Sequence, residues 1–186
     1  SVGTNNALAT PHDHDLGTLA PGRHTLTIRV DNRLVVDVGP DSHSVSDHTQ
    51  GNWNGIVGRI ELLATPPVWI EEVQVFPRFT TQSVKVKGTL GNATARIGQG
   101  QLRLSVERIS SRSRRAEAAD LPEPQLVTRT LDVHWTAAGG NWETEINLGN
   151  NARFWNEFAP NLYALMATLE LQMDGRRITS AATTTL

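Results

Sequence analysis

The chain has 186 residues, 38% of them hydrophobic and 19% charged, which suits one large or two small globular domains. A net charge of -2 supplies no basic field for nucleic acid, and no apolar run reaches membrane-spanning length. Cysteine is absent, which removes disulfides and thiolate metal sites and leaves the compartment open. No signal peptide is visible; Ser1-Val2-Gly3 reads as an artificial start, which leaves room for a signal upstream.

Taken in order, almost every element reads as β. After the turn Ala20-Pro21-Gly22-Arg23, residues His24 to Asp31 alternate strictly, with Leu26, Ile28 and Val30 on one face. Leu34 to Val38 reads as a second strand and Ile56 to Ala64 as a third, ended by Pro66-Pro67. From Val68 to Phe76 the apolar parity switches between Ile70 and Val73, which predicts a β-bulge at Glu71-Glu72. Pro77 to Gln82 interrupts the pattern, so a domain boundary is expected there, between residues 1–77 and 78–186.

The second unit restarts with Val84 to Lys87. It continues through alternating runs on Leu102, Leu104 and Val106, on Leu131, Val133 and Trp135, and on Trp142, Thr144, Ile146 and Leu148. Leu162 to Met173 and Arg176 to Leu186 form a hairpin through Asp174-Gly175. Six or seven short strands without helical period argue an immunoglobulin-like β-sandwich. Trp135, Trp142 and Trp155 fit core positions, and Trp155 and Tyr163 around Pro160 are expected to bury both rings at a corner anchoring the last hairpin.

The stretch from Asp41 to Gly55 is a long polar segment with two Asp, two His, Gln, two Asn and one Trp, the composition of a site-forming loop. His12 and His14 share a face at i, i+2, and His43, His48, Asp41 and Asp47 could add ligands. Capping of backbone groups is the stronger reading for these side chains, so no metal or cofactor is expected; calcium would be the choice if carboxylates dominated. Glu71 and Glu72 are neighbours whose side chains point apart, so they cannot flank one glycosidic bond. The basic cluster Ser110 to Arg115 has no interleaved aromatics and reads as a solvated loop.

Three motifs carry a family resemblance. Pro21-Gly22-Arg23-His24-Thr25-Leu26-Thr27-Ile28-Arg29-Val30-Asp31-Asn32, then Gly51-Asn52-Trp53-Asn54-Gly55-Ile56-Val57-Gly58-Arg59, resemble the later half of the sugar-binding jelly-roll domain of glycoside hydrolase family 2. That family includes β-galactosidases, β-glucuronidases and β-mannosidases. Arg153-Phe154-Trp155-Asn156-Glu157-Phe158-Ala159-Pro160-Asn161-Leu162-Tyr163 resembles the signature near the end of its immunoglobulin-like domain.

The resemblance implies an all-β chain, a partial galactose-binding-like jelly roll in residues 1–77 followed by an immunoglobulin-like sandwich in residues 78–186. It implies a non-catalytic accessory region of a retaining β-glycosidase, because the family's catalytic carboxylates lie in a (β/α)8 barrel with no counterpart here; the fragment alone should be inactive. By position it assigns sugar contact to Asp47, His48, Gln50, Asn52, Trp53 and Asn54. The implied partners are a β-glycoside and the barrel of the parent enzyme, with no nucleic acid and no membrane; a periplasmic or secreted parent would suit. A stand-alone carbohydrate-binding module and a structural spacer are the alternatives. A truncated jelly roll should leave Leu26, Ile28 and Val30 partly uncovered and invite self-association through the first domain.

Overall fold

The computed structural model describes residues 1–7, 10–31, 33, 37, 39–43, 55–56, 58–109, 126–158 and 160–186. The chain divides into two compact units, Ser1–Glu61 and Leu62–Leu186. All regular structure among the described residues is β, and all of it lies in the second unit.

Seven strands build that unit: β1 Val68–Arg78, β2 Ser83–Asn92, β3 Gly98–Ile109, β4 Val127–Trp135, β5 Gly140–Asn147, β6 Leu162–Met173 and β7 Arg176–Thr185. They form two antiparallel sheets, β1-β2-β5 and β4-β3-β6-β7. The chain crosses between sheets after β2, after β4 and after β5, the arrangement an immunoglobulin-like sandwich requires. The alternating residues read from the sequence face one another across the sandwich, with Val84, Val86, Leu102, Leu104, Leu165 and Leu169 fully enclosed. Each such side chain contributes roughly 1.5–3 kcal/mol by leaving water.

β1 follows the predicted bulge. Ile70 pairs with Leu90 and Glu72 with Thr89, so Glu71 is the extra residue. Val68 and Ile70 before it, and Val73 and Val75 after it, all pack on the same core despite opposite parity. β1 is therefore part of the second unit's sandwich, and the compact units part between Glu61 and Leu62 rather than at the expected boundary after residue 77. The reason is the hairpin: Pro77-Arg78 pairs with Ser83-Val84 across the turn at residues 79–82, so the segment that looked like a linker is a tight connection inside one sheet.

Three tryptophans are seated on glycines of neighbouring strands. Trp142 on β5 lies opposite Gly88, Trp69 on β1 opposite Gly91, and Trp135 on β4 opposite Gly98. A methyl group on Gly98 would lie 2.6 Å from Trp135 Cζ2, and one on Gly88 or Gly91 would run into the ring above it. The missing side chain lets each ring lie down on its partner strand, a packing unit that only cross-strand register creates. Trp135 and Trp142 thereby anchor the corner at residues 136–139, where Thr136 and Gly139 exchange backbone bonds of 2.9 and 3.1 Å as the chain passes from one sheet to the other. The Trp142 Nε1–H is enclosed with no acceptor among the described residues.

The sheets are also joined at one open edge. The Ile70 N–H, turned away from β2, donates to Ser180 Oγ on β7 at 3.1 Å, and both residues are buried. The final hairpin closes through Asp174 and Gly175, with φ of 49° and 76°, the pair of left-handed residues that a two-residue connection needs.

In the first unit the expected strand His24–Asp31 and the described part of Ile56–Ala64 have no ladder partner among the described residues. Leu26, Ile28 and Val30 are 59%, 50% and 50% exposed, the uncovered face expected of them. Of the expected strand Leu34–Val38, only Asp37 is described. Local order here comes from short polar bonds: Asp15 Oδ1 accepts the Gly17 N–H at 2.7 Å, Asp37 Oδ1 the Gly39 N–H at 2.9 Å, and the rings of His12 and His24 donate to the carbonyls of Ala7 and Ala20 at 2.8 Å. The Asp and His side chains named here bond to the backbone, as their turn chemistry dictates.

Candidate functional site

The six residues assigned to sugar contact, Asp47, His48, Gln50, Asn52, Trp53 and Asn54, lie outside the described residues, as does the basic cluster from Ser110 to Arg115. On the loop's flanks, Asp41 and His43 occupy turn positions and are exposed, and Gly55 takes φ of 98° before an exposed Ile56. Among the described residues no three His, Asp or Glu side chains converge to hold a metal ion.

Among the described residues of the first unit, Asp31 carries the largest electrostatic shift. Arg33 donates to both of its oxygens, Nε to Oδ1 at 2.8 Å and Nη2 to Oδ2 at 2.6 Å, and Arg29 adds a contact of 3.2 Å. The Arg33 hydrogen bonds, then the Arg29 charge, lower the Asp31 pKa to about 2, and the Arg33 guanidinium is raised in return.

In the second unit an aromatic corner is built where the β1–β2 turn meets the segment before β6. The Tyr163 hydroxyl accepts the Arg153 N–H at 2.9 Å, Asn161 Nδ2 donates to the Phe154 carbonyl at 3.2 Å, and Asn156 Oδ1 takes the Phe158 N–H at 3.0 Å. The Leu148 N–H donates to the Gln82 carbonyl at 2.9 Å, tying the segment to the turn. Phe154 meets Phe79 edge to face, ring centroids 4.8 Å apart. Adjacent side chains of an extended segment point to opposite sides, so with Phe154 turned to the Phe79 ring, itself 65% exposed, Trp155 points the other way. Trp155 is 61% exposed and Phe158 90%, against the expectation that Trp155 is buried; Tyr163 is half-buried on the core as expected. Sequence reasoning missed Phe79 and Phe154, and no signal within either motif pairs them.

Polar groups on the three-stranded sheet are paired with one another. Ser83 Oγ donates to Glu145 at 2.5 Å, and Arg78 reaches the same carboxylate at 3.4 Å. Lys85 and Lys87 hold Glu143 at 2.5 and 3.3 Å and keep its carboxyl below the usual range, and Lys87 also lies 5.9 Å over the Phe76 ring. Glu71, the bulged residue, and Glu72 beside it are both exposed. An open depression of about 390 Å³ at one end of the four-stranded sheet is lined by Ile97, Gly98, Gln99, His134 and Trp135.

No family model and no curated protein matches the sequence. Among solved structures, the chain is similar to a β-glucuronidase of Bacteroides uniformis, at 14% identity and a TM-score of 0.43, over 64% of this chain and 12% of that one. A calcium-binding mutant of Bacteroides uniformis β-glucuronidase 2 gives 13% identity and a TM-score of 0.42, over 64% of this chain and 13% of that one. The solution structure of R. palustris CsgH gives 16% identity and a TM-score of 0.28, over 61% of this chain and 89% of that one. The match thus spans about an eighth of the length of each glucuronidase chain.

Proposed function

We propose that this chain is a non-catalytic accessory region of a family 2-like retaining β-glycosidase, a part that supports a catalytic barrel and lends it a sugar-contacting loop. The observation that carries the reading is the order of the three motifs in the sequence, with the third ending at Tyr163, where the hydroxyl secures Arg153 and the last hairpin of a seven-stranded sandwich begins. In this reading Trp53 offers an apolar face to a sugar's C–H surface, and Asp47, His48, Gln50, Asn52 and Asn54 supply hydroxyl partners. The chain contributes no nucleophile and no acid/base carboxylate, and turnover belongs to the barrel.

Two measurements test it. Titrating the chain with glucuronate, galactose or mannose should change tryptophan fluorescence saturably for one of them, and Trp53→Phe should abolish the change. The encoding gene, read past the codon for Leu186, should continue into a (β/α)8 barrel; a stop codon there overturns the reading. Hydrolysis of aryl β-glycosides by this chain alone, surviving repurification, would also overturn it.

A second reading, a stand-alone carbohydrate-binding module, gains from one observation: Trp155 and Phe158 stand in solvent on a segment tied down by Tyr163, Asn161 and Asn156. Sugar binding lost in Trp155→Ala and kept in Trp53→Phe would favour it.

A further inference from the structure

We propose that β7 is a pairing edge through which two copies of this chain join, β7 against β7 across a two-fold axis, so that their four-stranded sheets become one continuous sheet. Register fixes which way the main-chain groups of β7 point. Tyr163 and Leu186 exchange two backbone bonds, at 2.8 and 2.9 Å, which makes them a hydrogen-bonded pair. Hydrogen-bonded and open pairs alternate along an antiparallel ladder, so Thr184, Ala182, Ser180, Ile178 and Arg176 also bond to β6. The N–H and C=O groups of Arg177, Thr179, Ala181, Thr183 and Thr185 therefore point away from β6, and among the described residues no other strand is hydrogen-bonded to β7. The bond from the Ile70 N–H ends on the inward side chain of Ser180 and uses none of these main-chain groups.

Among the described residues the other open edges carry protecting features along their length, whereas β7 carries charge only at its first two residues, Arg176 and Arg177. β1 carries a bulge, two glutamates and Pro77; β5 carries Glu143 and Glu145; β4 carries Arg129, Asp132 and His134. Charges, prolines and bulges are the devices by which sheet edges repel further strands. From Ile178 to Thr185, β7 has no charge, no proline and no glycine.

The edge is also complementary to itself. Centred on Ala181, an antiparallel pairing of two copies sets Thr179 of one against Thr183 of the other and Arg177 against Thr185, so no like charges meet and small side chains stand at the axis. A two-fold contact requires this self-match, which an edge evolved for an unrelated strand would not need.

Sedimentation velocity across a concentration series, read beside amide exchange, tests the inference on the whole chain. The mass should pass from one chain to two, and the amides of residues 177, 179, 181, 183 and 185 should become protected over the same range, while those bonded to β6 are protected throughout. Ala181→Lys, at an exposed position, should stay at the mass of one chain, as should Ala181→Glu, and mixing the two should restore the pair. A single-chain mass at every concentration overturns the inference. So does pairing that survives in both Ala181 variants, or that is lost in Ile28→Lys and kept in Ala181→Lys, which would place association in the first unit. The exchange of the five outward amides in the unaltered chain decides the matter even if a variant fails to fold.

Discussion

Two stretches of this chain carry the same pattern and meet opposite fates. Leu26, Ile28 and Val30 alternate with polar residues as regularly as Leu102, Leu104 and Val106 do. The first three stand half or more in solvent with no ladder partner among the described residues, whereas the second three are enclosed between two sheets. Period-two alternation states which face a strand would bury and says nothing of whether a second face exists to cover it. β3 has β4 and β6 beside it and the other sheet beneath it.

The sharpest way to break this comparison is to truncate one residue from each stretch. Leu104→Ala should cost about 2–5 kcal/mol in urea unfolding. Ile28→Ala should stay within about 0.5 kcal/mol, the range of surface substitutions. Equal losses would mean that the first stretch is covered in solution. Amide exchange gives the same contrast without mutation: residues 24–31 should exchange far faster than residues 162–173.

Next in size is the seating of tryptophan on glycine. Gly98→Ala should cost about 1–3 kcal/mol, because the added methyl presses on the buried Trp135 ring. Most of that loss should vanish in a double-mutant cycle against Trp135→Leu, and a loss that remains would locate the strain in the backbone.

Ser180→Ala should cost about 1–3 kcal/mol by leaving the buried Ile70 N–H without an acceptor. Ser180→Thr keeps the hydroxyl and should restore most of it; an unchanged melting temperature in the alanine variant would show that the two sheets do not depend on this bond.

Trp155→Ala is expected to shift stability by no more than about 0.5 kcal/mol, since the ring is 61% exposed. A loss several times larger would return Trp155 to the core.

The smallest effect concerns Asp31 and is read by carboxyl chemical shift rather than by unfolding. Its pKa is lowered from the ordinary 3.8 to about 2, so the contribution of its arginine partners is fully present above the ordinary value and is lost as pH falls through about 2. Arg33→Ala should move the titration back up, and an unmoved midpoint would show that Arg33 does not hold the carboxylate.

Much of this protein was legible from local residue patterns. Alternation marked β3 to β7 and the inward faces of Trp135 and Trp142; the parity switch after Ile70 located the bulge; Asp174-Gly175 marked the hairpin. Each of these is written in neighbours a few residues apart, because side-chain direction repeats every two residues and a two-residue turn needs left-handed conformers. What only the tertiary structure decided involves partners far apart in the chain. β1 belongs to the second unit because Val68 to Arg78 finds its ladder on β2, and no local signal separates a tight hairpin after Pro77 from a linker. Trp155 stands in water beside a Phe154 that meets Phe79, and Gly88, Gly91 and Gly98 are packing positions because register sets a tryptophan across from each. Burial depends on what lies opposite, and the sequence names a face without naming its cover.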